Sequence, residues 1–513
     1  MKYGLTSKVN MFYLYHNNEK NDRTARAKLN IVITLLCQLG SFACAFMLPR
    51  WQIRAFGSEV YGATTSIAQF LAYITLLEGG IGGVARAALY KPLAEQNTKA
   101  ISSIVKEVRD FFRVVAYIFF AYVLVLGVFY KRISHFEALD WTATFWLVIV
   151  ISLSTFAEYF VGITYSVLIQ AAQRTYVINL IKLFTTVLNA ALVFVLIQNN
   201  CDIIQVKLGS SLVFIIRPIL MNAYAHRLFH LEKNVDHSKK YLTQKWTGLG
   251  QHIAFFLHSN TDIAILTLYG NLKGVAVYSV YNMIIANLQN IISSFSAGME
   301  ANFGDMIAKN EIDELNASFT KYETLISLVA TIAFSAAYVL ILPFIKVYTV
   351  GIRDTNYIDA PFAFFIILAA LVYCIRQPYH AVVIAAGHFR QTQAIAYGEA
   401  AINILLSVLL INRYGLAGIA FGTLAATAAR LIYYVAYLSK RICKRPVKLF
   451  LKRLCCSLVP FLLIGFAGNY ILSSITVSSY LQWILVAIPT TALAALFISL
   501  VSLVFYKKAR KDT

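Results

Sequence analysis

Apolar runs about 20 residues long, the length a helix needs to cross the hydrocarbon core of a bilayer, recur along almost the whole chain. The pattern predicts fourteen spans, at residues 29–49, 60–84, 111–130, 143–166, 177–198, 203–224 and 246–268, then 275–299, 324–347, 360–386, 393–412, 416–438, 454–472 and 481–505. The sixth is entered through Lys207, and the seventh is interrupted by Asn260 and Asp262. The first run is too long for the core of a signal peptide and reads as a retained span. The loops reach at most about 25 residues, too short for a folded domain of their own.

An even number of spans returns both ends to one side of the membrane. Basic residues gather before the first span and after the second, sixth and twelfth, the last cluster being Lys440, Arg441, Lys444, Arg445, Lys448, Lys452 and Arg453. A further four close the chain. The positive-inside rule therefore puts both termini in the cytoplasm. The eighth loop, 300–321, is net acidic and departs from the alternation, but acidic residues count little in that rule. The organisation expected is a cytoplasmic tail over 1–28, an N-terminal six-helix lobe over 29–225 and a cytoplasmic linker over 226–245. A C-terminal six-helix lobe over 246–438 follows, then a basic cytoplasmic loop over 439–453, two additional helices over 454–506 and a tail over 507–513.

A repeat underlies the two lobes. Ala171-Ala172, Asn189, Leu192 and Ile197 return 214 residues later as Ala385-Ala386, Asn403, Leu406 and Ile411. Phe56-Gly57 returns at a shift of 213 as Tyr269-Gly270, and Arg217 returns as Arg430 at the same shift. Six spans per repeat preserve orientation, so an axis along the membrane normal would relate the lobes.

Composition agrees with a lipid-embedded chain: 59% hydrophobic, 13% charged, mean hydropathy +0.66. The net charge of +21 would suggest nucleic acid in a soluble protein. Here it follows from the cytoplasmic loops, and no nucleic-acid partner is expected. The seven cysteines form no CxxC or Cys/His spacing, so neither a zinc site nor a disulfide framework is indicated. No GxxxxGK[ST] phosphate loop is present, which argues against an ATP-driven pump. No cofactor is expected.

Charges within the spans carry the functional reading. Lys182, Arg217, Arg376 and Arg430 are basic, and Glu78, Glu158, Asp262 and Glu399 are acidic. Each costs at least about 2.5–3.5 kcal/mol at mid-bilayer unless it pairs or faces water. Glu158 and Lys182, on successive spans, are a natural ion pair, and Arg217, Arg376 and Arg430 are placed where arginine can also snorkel. Taken together, the basic set fits a cationic, water-filled lumen accepting an anionic headgroup, because a guanidinium keeps its charge and matches phosphate oxygens. Glu158, Asp262, Glu399 and Glu78 are candidates for coupling to H+ or Na+. His252 and His258 stand near Asp262, although a buried, satisfied histidine is the commoner case. The second span ends in Glu78-Gly79-Gly80-Ile81-Gly82-Gly83-Val84-Ala85-Arg86, a stretch suited to tight helix contact or to a hinge or gate.

That stretch resembles a segment of the polysaccharide transporter branch of the MOP flippase superfamily. So do Phe56-Gly57 and the run from Asn403 through Ile411 to Tyr414-Gly415-Leu416-Ala417-Gly418. The branch includes the Wzx-type O-antigen and capsule flippases. The resemblance implies an all-α integral membrane fold: about fourteen transmembrane helices, two pseudo-symmetric six-helix lobes around a central cavity, and two extra C-terminal helices. It implies a transporter, not an enzyme, that works by alternating access without ATP hydrolysis. The substrate would be an undecaprenyl-diphosphate-linked oligosaccharide crossing a bacterial inner membrane, with possible contacts to the polysaccharide polymerase machinery. A lipid II flippase and a cation-coupled multidrug antiporter of the MATE type are the nearest alternatives. A membrane glycosyl or phosphoglycosyl transferase would need loop carboxylates, and the one dense cluster, Asp305, Glu311, Asp313 and Glu314, reads as a solvated face.

Overall fold

The computed structural model describes residues 19–78, 81–229, 231–232 and 249–509. Within them every regular element is helical. In chain order these are α1 (Glu19–Ala72), a 3₁₀ turn (Tyr73–Glu78), α2 (Ile81–Ala94), α3 (Thr98–Ser134), α4 (Trp141–Ala157), a π-turn (Glu158–Gly162), α5 (Ile163–Ala171), α6 (Thr175–Gln198) and α7 (Ile203–Leu228). Then come α8 (Leu249–Tyr269), α9 (Leu272–Ser294), α10 (Ser296–Ala308), α11 (Ile312–Tyr348), α12 (Ala360–Ala385), α13 (Phe389–Arg441), α14 (Val447–Ser473) and α15 (Tyr480–Ala509).

Among the described residues, eleven helical stretches are long and apolar enough to cross a membrane, and the chain is a multi-pass membrane protein. Two stretches, Leu36–Glu78 and Phe389–Arg441, each cover two expected spans. They turn at Gly57 (φ 84°) and Gly415 (φ 55°), in a backbone region open mainly to glycine. Of the polar residues between the first two spans, Arg50, Gln52 and Arg54 precede the break at Gly57, and Ser58 and Glu59 follow it at the start of the second helix. The seventh expected span is α8, which carries Asn260 and Asp262 and falls outside the eleven.

Helix starts follow local chemistry. Asp202 and Gln205 form a reciprocal capping box ahead of α7. The side chains of Asn271 and Asp359 accept from the first turns of α9 and α12, and Pro361 sits where a helix tolerates it. Interior prolines such as Pro218, Pro378 and Pro460 are compatible with lipid-embedded helices, whose freed carbonyls are satisfied by neighbours.

The chain forms two compact units. The first comprises the described residues of Met1–Trp51, Leu71–Tyr130 and Leu139–Gly248; the second comprises those of Gln52–Phe70, Lys131–Ala138 and Leu249–Thr513. Of the expected segments, most of the tails 1–28 and 507–513 and of the linker 226–245 lies outside the described residues.

In the first unit, α3 turns Val114, Tyr117, Ile118, Phe120 and Val125 outward, a stripe that only lipid tolerates. In the second, α12 is the centre, with 67% of its most apolar window buried, whereas α15 has 11%.

The second unit also takes in residues 52–70, the part of α1 around and beyond the Gly57 turn. The Ser58 amide and hydroxyl donate to the Asp354 carboxylate at 2.6 and 2.8 Å, and Tyr357 Oη shares a 2.7 Å bond with Ser58 Oγ. Burial pushes the Tyr357 phenol above its ordinary pKa, so it stays protonated. Farther along, Ser66 bonds Thr267 and Gln69 bonds Asn260. A β-carbon on Gly62 would lie 1.8 Å from the Leu272 carbonyl oxygen, so the close approach of α1 to α9 requires glycine.

Candidate functional site

In the first unit the intramembrane charges gather where the helix geometry is irregular. Glu158 opens the π-turn, a distortion that re-aims side chains. Its carboxylate lies over Gly162, so close that a β-carbon there would come within 2.8 Å. Lys182, Arg217 and Glu78 are all within its electrostatic reach. Glu78, at the end of the 3₁₀ turn, accepts a hydrogen bond from Tyr159 Oη.

Arg217 is oriented by neutral groups: Nε donates to Thr185 Oγ1 at 2.6 Å and Nη2 to Thr186 Oγ1 at 2.9 Å. Its guanidinium lies 4.2 Å from the Phe214 ring centre. Arg217 is half-buried and Lys182 exposed. The structure therefore brings Glu78, Glu158, Lys182 and Arg217 into one neighbourhood.

Arg86 donates to Gln170 Oε1 at 2.6 Å instead of joining that group. Gly82 and Gly83 lie within α2, and added β-carbons would meet neighbours only at 3.9 and 4.0 Å, so neither is held there by tight packing. Gly79 and Gly80 lie outside the described residues, as do the side chains of His252 and His258.

In the second unit Arg376 of α12 and Arg430 of α13 both pair with Glu399, which is fully buried. Each arginine is 5% exposed. Tyr434 Oη accepts from Arg430 Nε and Nη2 at 3.1 and 2.8 Å, and His380 stacks on the Tyr434 ring. Two arginines on one carboxylate leave the cluster one positive charge in surplus, deep among helices.

Asp262 occupies a different setting. Tyr278 Oη and Thr423 Oγ1 donate to Oδ2 at 2.9 and 3.0 Å, and Asn403 Nδ2 to Oδ1 at 3.1 Å. Ser407 in turn donates to Asn403 Oδ1 at 3.0 Å. A buried carboxylate dressed by neutral donors suits a proton or a monovalent cation that comes and goes. Asn189, the repeat equivalent of Asn403, is buried too, but its Oδ1 has no hydrogen-bond partner.

Sequence reasoning missed Glu323. It is 1% exposed and receives Tyr379 Oη, Arg445 (2.7 Å) and Arg453. Hydropathy placed it at the edge of the ninth span, and the two arginines were counted as topology signals. The signal that could have found it is the net acidic eighth loop, the one departure from charge alternation. Among the described residues, no cluster of three or more His, Cys, Asp or Glu is grouped to hold a metal ion.

No family model matches the sequence, and no curated protein does either. The structure is similar to that of the lipid II flippase MurJ in an inward closed conformation, with a TM-score of 0.70 at 14% identity over 94% of this chain and 99% of that one. It is similar to an inward-facing multidrug resistance MATE family transporter of the MOP superfamily, with a TM-score of 0.57, 12% identity and coverage of 81% and 97%. The MATE multidrug transporter DinF-BH, solved in complex with a ligand, gives 0.53 at 15% identity over 81% and 95%. At these identities the likeness is one of fold: a multi-span, all-helical membrane fold shared with those three structures.

Proposed function

We propose that this protein is a flippase moving an undecaprenyl-diphosphate-linked oligosaccharide, an O-antigen, capsule or exopolysaccharide repeat unit, across the bacterial inner membrane by alternating access. The observation that carries this reading is the buried Arg376–Glu399–Arg430 cluster, whose surplus positive charge calls for an anion. Arg217, held by hydroxyls and not by a carboxylate at pairing distance, adds a guanidinium free to trade its partners for phosphate oxygens. Lys182 supplements it. A diphosphate meets both demands, and a cationic drug meets neither.

Both termini lie in the cytoplasm on this reading. Asp262 is the coupling residue, exchanging its neutral donors for H+ or Na+; Glu158, Glu399 and Glu78 tune the field around the arginines. The stretch Gly79, Gly80, Gly82 and Gly83 up to Arg86 supplies a hinge. Contacts with the polymerase machinery would receive the delivered unit. A second reading, flipping of lipid II, is favoured by the likeness to the lipid II flippase MurJ over nearly the full length of both chains; its headgroup makes the same demand for cations.

Complementation separates these readings. Expression in a bacterium lacking its O-antigen or capsule flippase restores surface polysaccharide, and Arg217→Gln abolishes the rescue at unchanged protein level. Rescue of a strain lacking its lipid II flippase instead selects the second reading. Gained resistance to cationic drugs overturns both. In proteoliposomes, Asp262→Asn slows gradient-driven transport by at least about tenfold, equivalent to about 1.4 kcal/mol of barrier, while exchange without a gradient persists; undiminished gradient dependence removes Asp262 from coupling.

A further inference from the structure

A second cluster of arginines in the first unit stands apart from the charges assigned to transport. Arg109 and Arg113 are one turn apart on α3, on one face. Both are within electrostatic reach of the buried Tyr165 of α5. The Arg113 guanidinium also sits 5.3 Å from the ring centre of Phe160 in the π-turn. On its other side, Tyr165 packs against His226 of α7 at 5.2 Å between ring centres.

Two like charges at this spacing repel each other unless something is shared between them. Asp110 approaches Arg109 Nε only to 3.9 Å, beyond hydrogen-bond range, with its own side chain 46% exposed. The Nε atoms of Arg109 and Arg113 are both buried and have no hydrogen-bond partner. Native folds leave few buried donors without an acceptor, so two on adjacent turns point to a missing group rich in acceptors.

Depth narrows the choice. α3 has 37 residues, about 55 Å of helix, and its long apolar run begins at Phe111. Arg109 and Arg113 straddle that boundary, the level at which lipid phosphates lie.

We infer that Arg109, Arg113 and Tyr165 form a phosphate-binding site for the headgroup of an anionic bilayer phospholipid. The outer faces of the two half-buried guanidiniums take non-bridging phosphate oxygens, with Tyr165 packed beside them. The site is independent of the transported substrate and stands whether or not the chain is a flippase.

The full-length protein in neutral detergent, titrated with phosphatidylglycerol, phosphatidylcholine or inorganic phosphate, tests this by thermal shift and native mass spectrometry. Phosphatidylglycerol is expected to raise the melting temperature saturably and remain bound in the gas phase, with R109Q/R113Q binding at least about tenfold more weakly, as loss of one charge-assisted contact entails. Exchanging the exposed Lys440 and Lys444 for Gln should leave binding unchanged. Should R109Q/R113Q fail to fold, R109K/R113K, which keeps the charge but loses both guanidiniums, must still bind more weakly, and equal affinity overturns the site. Saturation by inorganic phosphate at similar concentration overturns the lipid assignment, as does equal binding of phosphatidylcholine.

Discussion

The two units treat buried charge in opposite ways. In the second, Arg376, Glu399 and Arg430 form a closed group, almost without exposure, locked further by Tyr434. In the first, Arg217, the repeat equivalent of Arg430, rests on two threonine hydroxyls, with Glu158 near enough to be felt but folded over Gly162. A paired charge is expensive to unpair, whereas a charge resting on hydroxyls exchanges partners readily. The second unit thus reads as scaffold with a residual field, and the first as the more adaptable surface. Packing varies within a unit as well: the apolar windows of α11 and α12 are 61% and 67% buried, but those of α13 and α15, in the same unit, are 33% and 11% buried.

The sharpest way to break this contrast is to neutralise the carboxylates. Glu399→Gln strands two buried arginines and should cost about 3–5 kcal/mol, read as a large fall in the unfolding midpoint in detergent. Glu158→Gln should cost far less, and equal losses would sink the distinction.

Next come the glycines. Gly62→Ala forces the α1 backbone off Leu272 and should destabilise by about 1–3 kcal/mol. Gly83→Ala meets only ordinary contacts and should hold or raise stability by up to about 1 kcal/mol, so a fall comparable to that of Gly62→Ala would show the first unit to be as tightly built.

The smallest effect concerns the matched amides. Asn403→Ala deprives Asp262 and Ser407 of a partner, whereas the Oδ1 of Asn189 has none to lose. The first should therefore cost about 1–2 kcal/mol more than the second, measured as the difference between their unfolding midpoints.

Much of the helical layout was legible because lipid imposes one length and one polarity on each span. The caps that Asp202 and Asp359 form at α7 and α12 are local side-chain chemistry that hydropathy does not read. Hydropathy separated the first two spans, and the backbone does break between them, but it could not place that break at Gly57. Nor could it assign residues 52–70 to the second unit, since apolar spans carry no label for their partners. The charged residues of the spans were visible as anomalies, but their partners were not. Arg430 lies 31 residues from Glu399, and Arg445 lies 122 from Glu323; no periodicity spans such distances. The repeat did single out Asn403, and the structure puts that residue on Asp262.

The placement of Asp262 bears on how the chain is made. Its partners Asn403 and Thr423 follow 141 and 161 residues later. At about 5–20 residues per second, the ribosome needs roughly 7–30 s to supply them. During that interval α8 must be held with only Tyr278, 16 residues downstream, arriving early. The seventh span is thus synthesised with two of the three donors to its carboxylic acid still missing, and that shell closes only once α13 is made.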